Sequence, residues 1–120
     1  MRSSTEVAAN LEKAKGIFQA RGRAVGTLVN GVGECCPLGA VGLAVVGDKL
    51  IREMKFTSVY DHFMPEGDAY QEVQALDRSI PREVMDRTHE PLTNVYRFND
   101  RYADDRMIME LFDRAIESLS

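Results

Sequence analysis

Cys35 and Cys36 stand side by side in the stretch GECCPLGAV. Paired thiols could form a disulfide, hold a metal or supply a nucleophile. A bridge between neighbours would have to close across α-carbons about 3.8 Å apart, which is shorter than disulfides normally span, so it would be strained. A zinc ion would need both thiols together with His62 and His89, the only histidines in the chain. Structural zinc sites usually place paired ligands about two to four residues apart so that both reach one tetrahedral ion. Adjacent cysteines do not offer that spacing, and no metal or other cofactor is expected.

Nucleophilic catalysis is the sharper alternative. Cys36 directly precedes Pro37, and a thiol at a helix N-terminus has its thiolate stabilised by the helix dipole. With His89 as base and Asn99 or Asp100 as the orienting group, the chain order would resemble that of papain-like hydrolases. Cys36, His89 and Asn99 are therefore the candidate catalytic residues. Against this, His89 lies in the polar segment RTHEPL and no flanking signature surrounds the cysteine. Cysteine is also among the most commonly buried residues, so a packed thiol is the favoured reading.

A third feature is VYRFNDRYADD. Asn99 and Asp100 can bond their own backbone and set a turn into the last helix. Alternatively they form a small polar recess beside the Cys36 helix start, which makes Cys36, Asn99 and Asp100 the candidate ligand-binding residues. GTLVNGVG lacks the lysine and spacing of a phosphate-binding loop.

These residues need a scaffold, and 120 residues that are 44% hydrophobic and 28% charged suit one domain, 1–120, with one core. Fifteen basic and nineteen acidic residues leave a net charge of -4, which removes the general attraction of a nucleic acid or an anionic membrane. Lys13, Lys15, Arg21 and Arg23 lie at helical spacing and read as a solvated face. The longest apolar run, PLGAVGLAVVG, is too short and glycine-rich to span a membrane. The beginning, MRSSTEVAANLEK, has no signal-peptide core, so a cytoplasmic protein with reduced thiols is expected.

Periodicity supplies the elements. Ser3 and Glu6 match a capping box, and Val7, Leu11, Ala14 and Phe18 recur every three or four residues, which predicts a first helix that Gly22 stops. RAVGTLVNGVGECC has apolar residues on either side of Asn30-Gly31 and predicts a short β-hairpin. Pro37 suits the first position of a helix, and LGAVGLAVV, apolar on nearly every side, predicts a buried central helix with Gly47 at its end. Asp48 begins a further helical stretch through DKLIREMKF. Within residues 57–90, the spacing of Tyr70, Val73, Leu76 and Ile80 predicts a helix, and Pro81 starts a short one through Met85. NVYRF reads as an extended piece. Ile108, Leu111, Phe112, Ala115, Ile116 and Leu119 form the apolar stripe of a final helix, with Asp104 or Asp105 as its cap. The expected fold is mainly α, of the α+β type: a small helical domain with a hairpin and a buried central helix.

Two segments together, CPLGAVGLA and the later VYRFNDR with the helix ending LFDRAIE, resemble a family of small uncharacterised domains in actinobacteria and their phages. The matching residues are Leu11, Glu12 and Ala14, then Cys36, Gly39 and Ala40, then Phe98, Asn99 and Asp100. Phe98 stands where that family more often has tryptophan, and Cys35 is additional to its pattern. The resemblance implies a mostly helical fold and a phage or mobile-element origin, and it carries no activity.

The sequence thus favours a small non-enzymatic accessory protein that binds a protein partner, such as a host protein. Met54, Met64, Met85, Met107 and Met109 would supply an adaptable exposed surface, and self-association through the last helix is compatible with the pattern. A cysteine hydrolase or transferase using Cys36, and a small-ligand-binding domain, are the alternatives.

Overall fold

The computed structural model describes residues 2–120. The first helix, α1, runs Ser4–Arg21. The Ser3 hydroxyl accepts the Glu6 N–H at 3.2 Å and donates to the Glu6 carboxylate at 3.3 Å, so two end groups satisfy each other. Val7, Leu11, Ala14 and Phe18 are its buried residues. Gly22 ends it at φ +90, a conformation that side chains resist, with its N–H on the Phe18 carbonyl.

The second helix, α2 (Pro37–Val45), buries every residue from Pro37 to Ala44, as its all-round apolar pattern demands. It packs most extensively on α1. Gly47, at φ +87, closes it by donating to the Gly42 and Leu43 carbonyls. Next come α3 (Lys49–Glu53), a 3-10 segment (Thr57–Phe63) and α4 (Tyr70–Arg78). Then α5 (Pro91–Arg97) runs into a π-helical turn (Phe98–Tyr102), followed by α6 (Asp105–Ser118). Asp104 caps α6 by accepting the Met107 N–H at 2.9 Å. Phe63, Phe98 and Phe112 are fully enclosed, each contributing up to about 3 kcal/mol by burial. The Phe18 and Phe112 rings meet in a tilted pair 6.0 Å apart.

The fold is mainly helical, but the expected β-hairpin is absent: the described residues contain two isolated bridges, Arg23 with Cys35 and Val29 with Cys35, and no strand. Cys35 donates to the Gly22 carbonyl and accepts from Ala24, while Leu28 accepts from Cys36 and Glu34 from Asn30. Each pairing stops after one step. Gly26, at φ +79, bends the first arm, and Pro37 has no N–H with which the second arm could continue. The turn itself is shifted. Its left-handed residue is Gly33, while the Asn30 side chain accepts the Val32 and Glu34 N–H groups, as asparagine does in Asx turns.

NVYRF is helical, because Asn94 and Phe98, and Val95 and Asn99, recur four apart and are all buried. That burial outweighs the strand preference of valine and aromatics. Pro81 starts a single turn closed by the Val84 and Met85 N–H groups rather than a helix. None of the five methionines named for that surface is exposed: Met85 is buried, Met54, Met107 and Met109 pack against the core, and Met64 is half-buried. The adaptable methionine surface is thereby withdrawn.

Buried polar groups are joined in local networks. Glu72, wholly enclosed, accepts from Arg2 at 2.6 Å and from Asn10 at 2.9 Å, tying α4 to the start of the chain. Asn94 donates to Asp77 at 2.9 Å and to the His89 carbonyl at 2.7 Å, and accepts the His89 N–H. No helix among the described residues is long and apolar enough to cross a membrane.

Candidate functional site at the head of the central helix

Cys36 is the N-cap of α2. Its backbone is extended, and its Sγ accepts the Gly39 N–H at 3.3 Å, meeting one of the donors that a helix start leaves open. It reaches this place because the Leu28 carbonyl holds its own N–H at 3.0 Å. Burial pushes the thiol up to about 12, with the Asp100 charge adding to the rise and the bonds from Gly39 and Leu38 opposing it. The dipole advantage expected of a thiol at a helix start is therefore outweighed by desolvation. Cys35 is also buried and forms no disulfide, and is pushed up to about 11 for the same reason.

A cleft of about 380 Å³ opens in front of this helix start, within the size range of small-ligand sites. The loop after α1 supplies Gly26, Thr27 and Leu28, and the head of α2 supplies Cys36 and Leu38. Tyr60 enters from the 3-10 segment, while Leu92, Tyr96 and Asp100 come from α5 and the π turn. Both tyrosines are half-exposed at 44%. Asp100 is held in place through one oxygen, Oδ1, which accepts the Gly26 N–H at 3.1 Å and the Asn99 side-chain N–H at 2.9 Å.

Asn99 stands behind the cleft. It is fully buried, donates to the Ala24 carbonyl at 2.9 Å, and its own carbonyl accepts from Arg23 at 2.8 Å. Arg23 also pairs with Asp105 at 2.9 Å. Asn99 thus fastens the loop after α1 to the π turn and so fixes two walls of the cleft. It is enclosed rather than presented to a ligand.

The cleft therefore brings Cys36 and Asp100 together, with Asn99 supporting Asp100. His89 does not line it. Its ring lies on Thr88 Oγ1 at 3.1 Å and on Arg97 at 3.0 Å, exposed at the start of α5. His62 is engaged with Glu53 at 2.7 Å, and that bond holds the Glu53 carboxyl below its ordinary value. Cys36, His89 and Asn99 form no hydrogen bond with one another, so the hydrolase-like trio is not assembled. Among the described residues no group of three His, Cys, Asp or Glu is placed to hold a metal.

Tyr60, Tyr96, Thr27 and Leu92 were not candidates on the sequence. Tyr60 lies in a segment without periodicity. Tyr96 carried a usable signal: Pro91 at a helix start places Leu92, Tyr96 and Asp100 four apart on one helical face.

Comparison with known proteins found no match among curated proteins and none among solved structures. A family profile described as a family of unknown function (DUF6197) matches residues 2–118, nearly the whole chain. The cleft is therefore a feature of a chain that belongs to the DUF6197 family.

Proposed function

We propose that this chain is a non-enzymatic binding protein and that the cleft at the head of α2 takes its ligand. The observation that carries this reading is the state of the thiol in the cleft. Cys36 is buried, engaged as a helix cap and pushed up to about 12, and the residues around it include no histidine or lysine to act as base. Catalysis by a thiol requires the thiolate at working pH. The walls instead combine apolar and aromatic side chains with one carboxylate, the usual make-up of a binding pocket. Screening a fragment library by backbone amide NMR tests the reading. Ligands that shift Gly26, Thr27, Tyr96 and Asp100 together support it, and rapid alkylation of Cys36 at neutral pH in the folded protein would overturn it.

A second reading, an accessory protein that docks on a protein partner, draws on the apolar side chains of the α3 and 3-10 stretch. Phe56 is 63% exposed, with Ile51 and Tyr60 half-exposed. Aromatic groups are enriched at interface centres, and Tyr60 belongs to both this surface and the cleft. Tyr60→Ala and Phe56→Ala distinguish the two: loss of small-ligand binding with Tyr60→Ala alone favours the cleft.

A further inference from the structure

We infer that the cleft selects organic cations, taking an alkylammonium head against Asp100 and an apolar or aromatic body beside Tyr60 and Tyr96. The inference rests on the proposed binding role of the cleft and specifies the ligand class. It is carried by an imbalance of charge. Among the described residues, Asp100 is the only acidic side chain lining the cleft, and no Lys, Arg or His lines it. Among the described residues no basic side chain forms an ion pair with Asp100. Arg23, bonded to the neighbouring Asn99 carbonyl, has Asp105 as its own counter-ion.

The carboxylate is also aimed by its surroundings. Both hydrogen bonds it accepts, from Gly26 and from Asn99, fall on Oδ1, and Oδ2 has no hydrogen-bond partner among the described residues. An ammonium group offers up to three donors to such an oxygen. A charged donor to a carboxylate makes the stronger class of hydrogen bond. Tyrosine faces attract cations through the ring quadrupole, and two tyrosines reach the cleft from separate elements, the 3-10 segment and α5. Leu28, Leu38 and Leu92 provide apolar wall for the rest of the ligand.

The opposite preference has one argument in its favour, since a helix start attracts anions. Here the Gly39 N–H of the first turn of α2 is taken by Cys36 Sγ. The unpaired charge at this helix start is already negative.

The alkylammonium head could belong to a free amine or to a lysine side chain of a partner. Phenethylamine, its neutral isostere phenethyl alcohol, phenylacetate and N-acetyl-lysine methylamide, titrated by backbone amide NMR, separate the cases. Phenethylamine is expected to shift Gly26, Tyr96 and Asp100 and to bind at least about tenfold more tightly than the alcohol. Binding by the lysine derivative in place of phenethylamine supports the same selectivity with a side chain as its source. Asp100→Asn, which keeps an acceptor for the Gly26 N–H, should remove the amine preference while leaving alcohol binding intact. Tyr96→Leu should weaken the amine more than the alcohol, which guards against an Asp100 variant that merely unfolds. Equal binding of amine and alcohol, or preferred binding of phenylacetate, overturns cation selectivity while the cleft remains a binding site. No shift at the cleft with any probe overturns both readings.

Discussion

Gly39 faces the backbone carbonyl of Leu28 so closely that a Cβ at position 39 would overlap it. This contact joins the loop after α1 to the first turn of α2, and with the Cys36-to-Leu28 hydrogen bond it sets the back wall of the cleft. Backbone cannot rotate away as a side-chain tip can. Gly39→Ala should therefore cost about 3 kcal/mol or more, the upper end of overpacking. Gly42 offers a control within the same helix. A Cβ there would meet side-chain ends, Leu50 Cδ2 at 2.6 Å, Leu50 Cδ1 at 2.9 Å and Phe63 Cζ at 3.1 Å. These are wholly buried but can give way where a backbone carbonyl cannot, and the better helix propensity of alanine offsets part of the strain. The loss there should be smaller, about 1 to 2 kcal/mol. Urea denaturation of both variants checks the order, and a Gly39→Ala protein as stable as Gly42→Ala would contradict the close approach.

The two thiols give a stability that depends on pH. Their ordinary value is 9.0, and burial pushes Cys35 up to about 11 and Cys36 up to about 12. Between these limits the folded chain holds protons that the unfolded chain has released. Stability is accordingly full below pH 9 and declines as pH rises toward 11 and 12, by up to about 1.4 kcal/mol per pH unit for each thiol. Replacing both residues with serine should flatten the decline relative to the parent chain, because tyrosine and lysine ionisation is common to both. Denaturation midpoints at pH 7, 9 and 10 make the comparison, and parallel curves would show that the thiols are not shut away from solvent.

Glu72 depends on Arg2 and Asn10 for charge and hydrogen bonds. Arg2→Ala would leave a wholly buried carboxylate facing Asn10 alone. Uncompensated buried charge is strongly destabilising, and the partial exposure of Arg2 places the cost near the lower end, about 3 kcal/mol. Adding Glu72→Gln removes the charge, so the double variant should be more stable than Arg2→Ala alone. A double-mutant cycle by chemical denaturation reads the coupling. Strict additivity would mean that the pair contributes nothing as a pair.

The helices were legible in the sequence wherever one face repeats: the stripe of α1, the closed apolar run of α2 and the stripe of α6 all stand as periodicity places them. The failures share a cause. Residues 22–36 look like a ribbon by local preference, but Cys35 is bridged on both sides at once, to Arg23 and to Val29. Only the folded chain brings those three segments together. Val95 and Phe98 favour strands locally, whereas their enclosure with Asn94 and Asn99 favours a helix. The sequence pairs Cys36 and Asp100 as a candidate recess, but Tyr60, which lines the cleft with them, comes from a stretch with no period. That long-range meeting leaves no trace in spacing.

Asn99 supplies the sharpest test of how the cleft is held. Its side-chain N–H groups point at two acceptors, the Ala24 carbonyl and Asp100 Oδ1, each at 2.9 Å. Asn99→Ala removes the donors and should cost about 2 kcal/mol, the penalty of leaving buried acceptors unmet. Asn99→Asp keeps the shape but sets a third acceptor, charged at neutral pH, against those two inside the protein. Its loss should exceed that of the alanine variant at pH 7, by about 1 to 3 kcal/mol. Burial and the Ala24 and Asp100 oxygens should raise the folded-state pKa of the introduced carboxyl more than Arg23, 3.4 Å from Asn99 Oδ1 and already paired with Asp105, lowers it. The aspartate variant should therefore recover relative to alanine as pH falls toward 4, where protonation restores a donor. Thermal melts of both variants at pH 7 and pH 4.5 read the crossover. If the aspartate variant matches the parent chain at pH 7, the Ala24 and Asp100 contacts do not fasten the loop to the π turn.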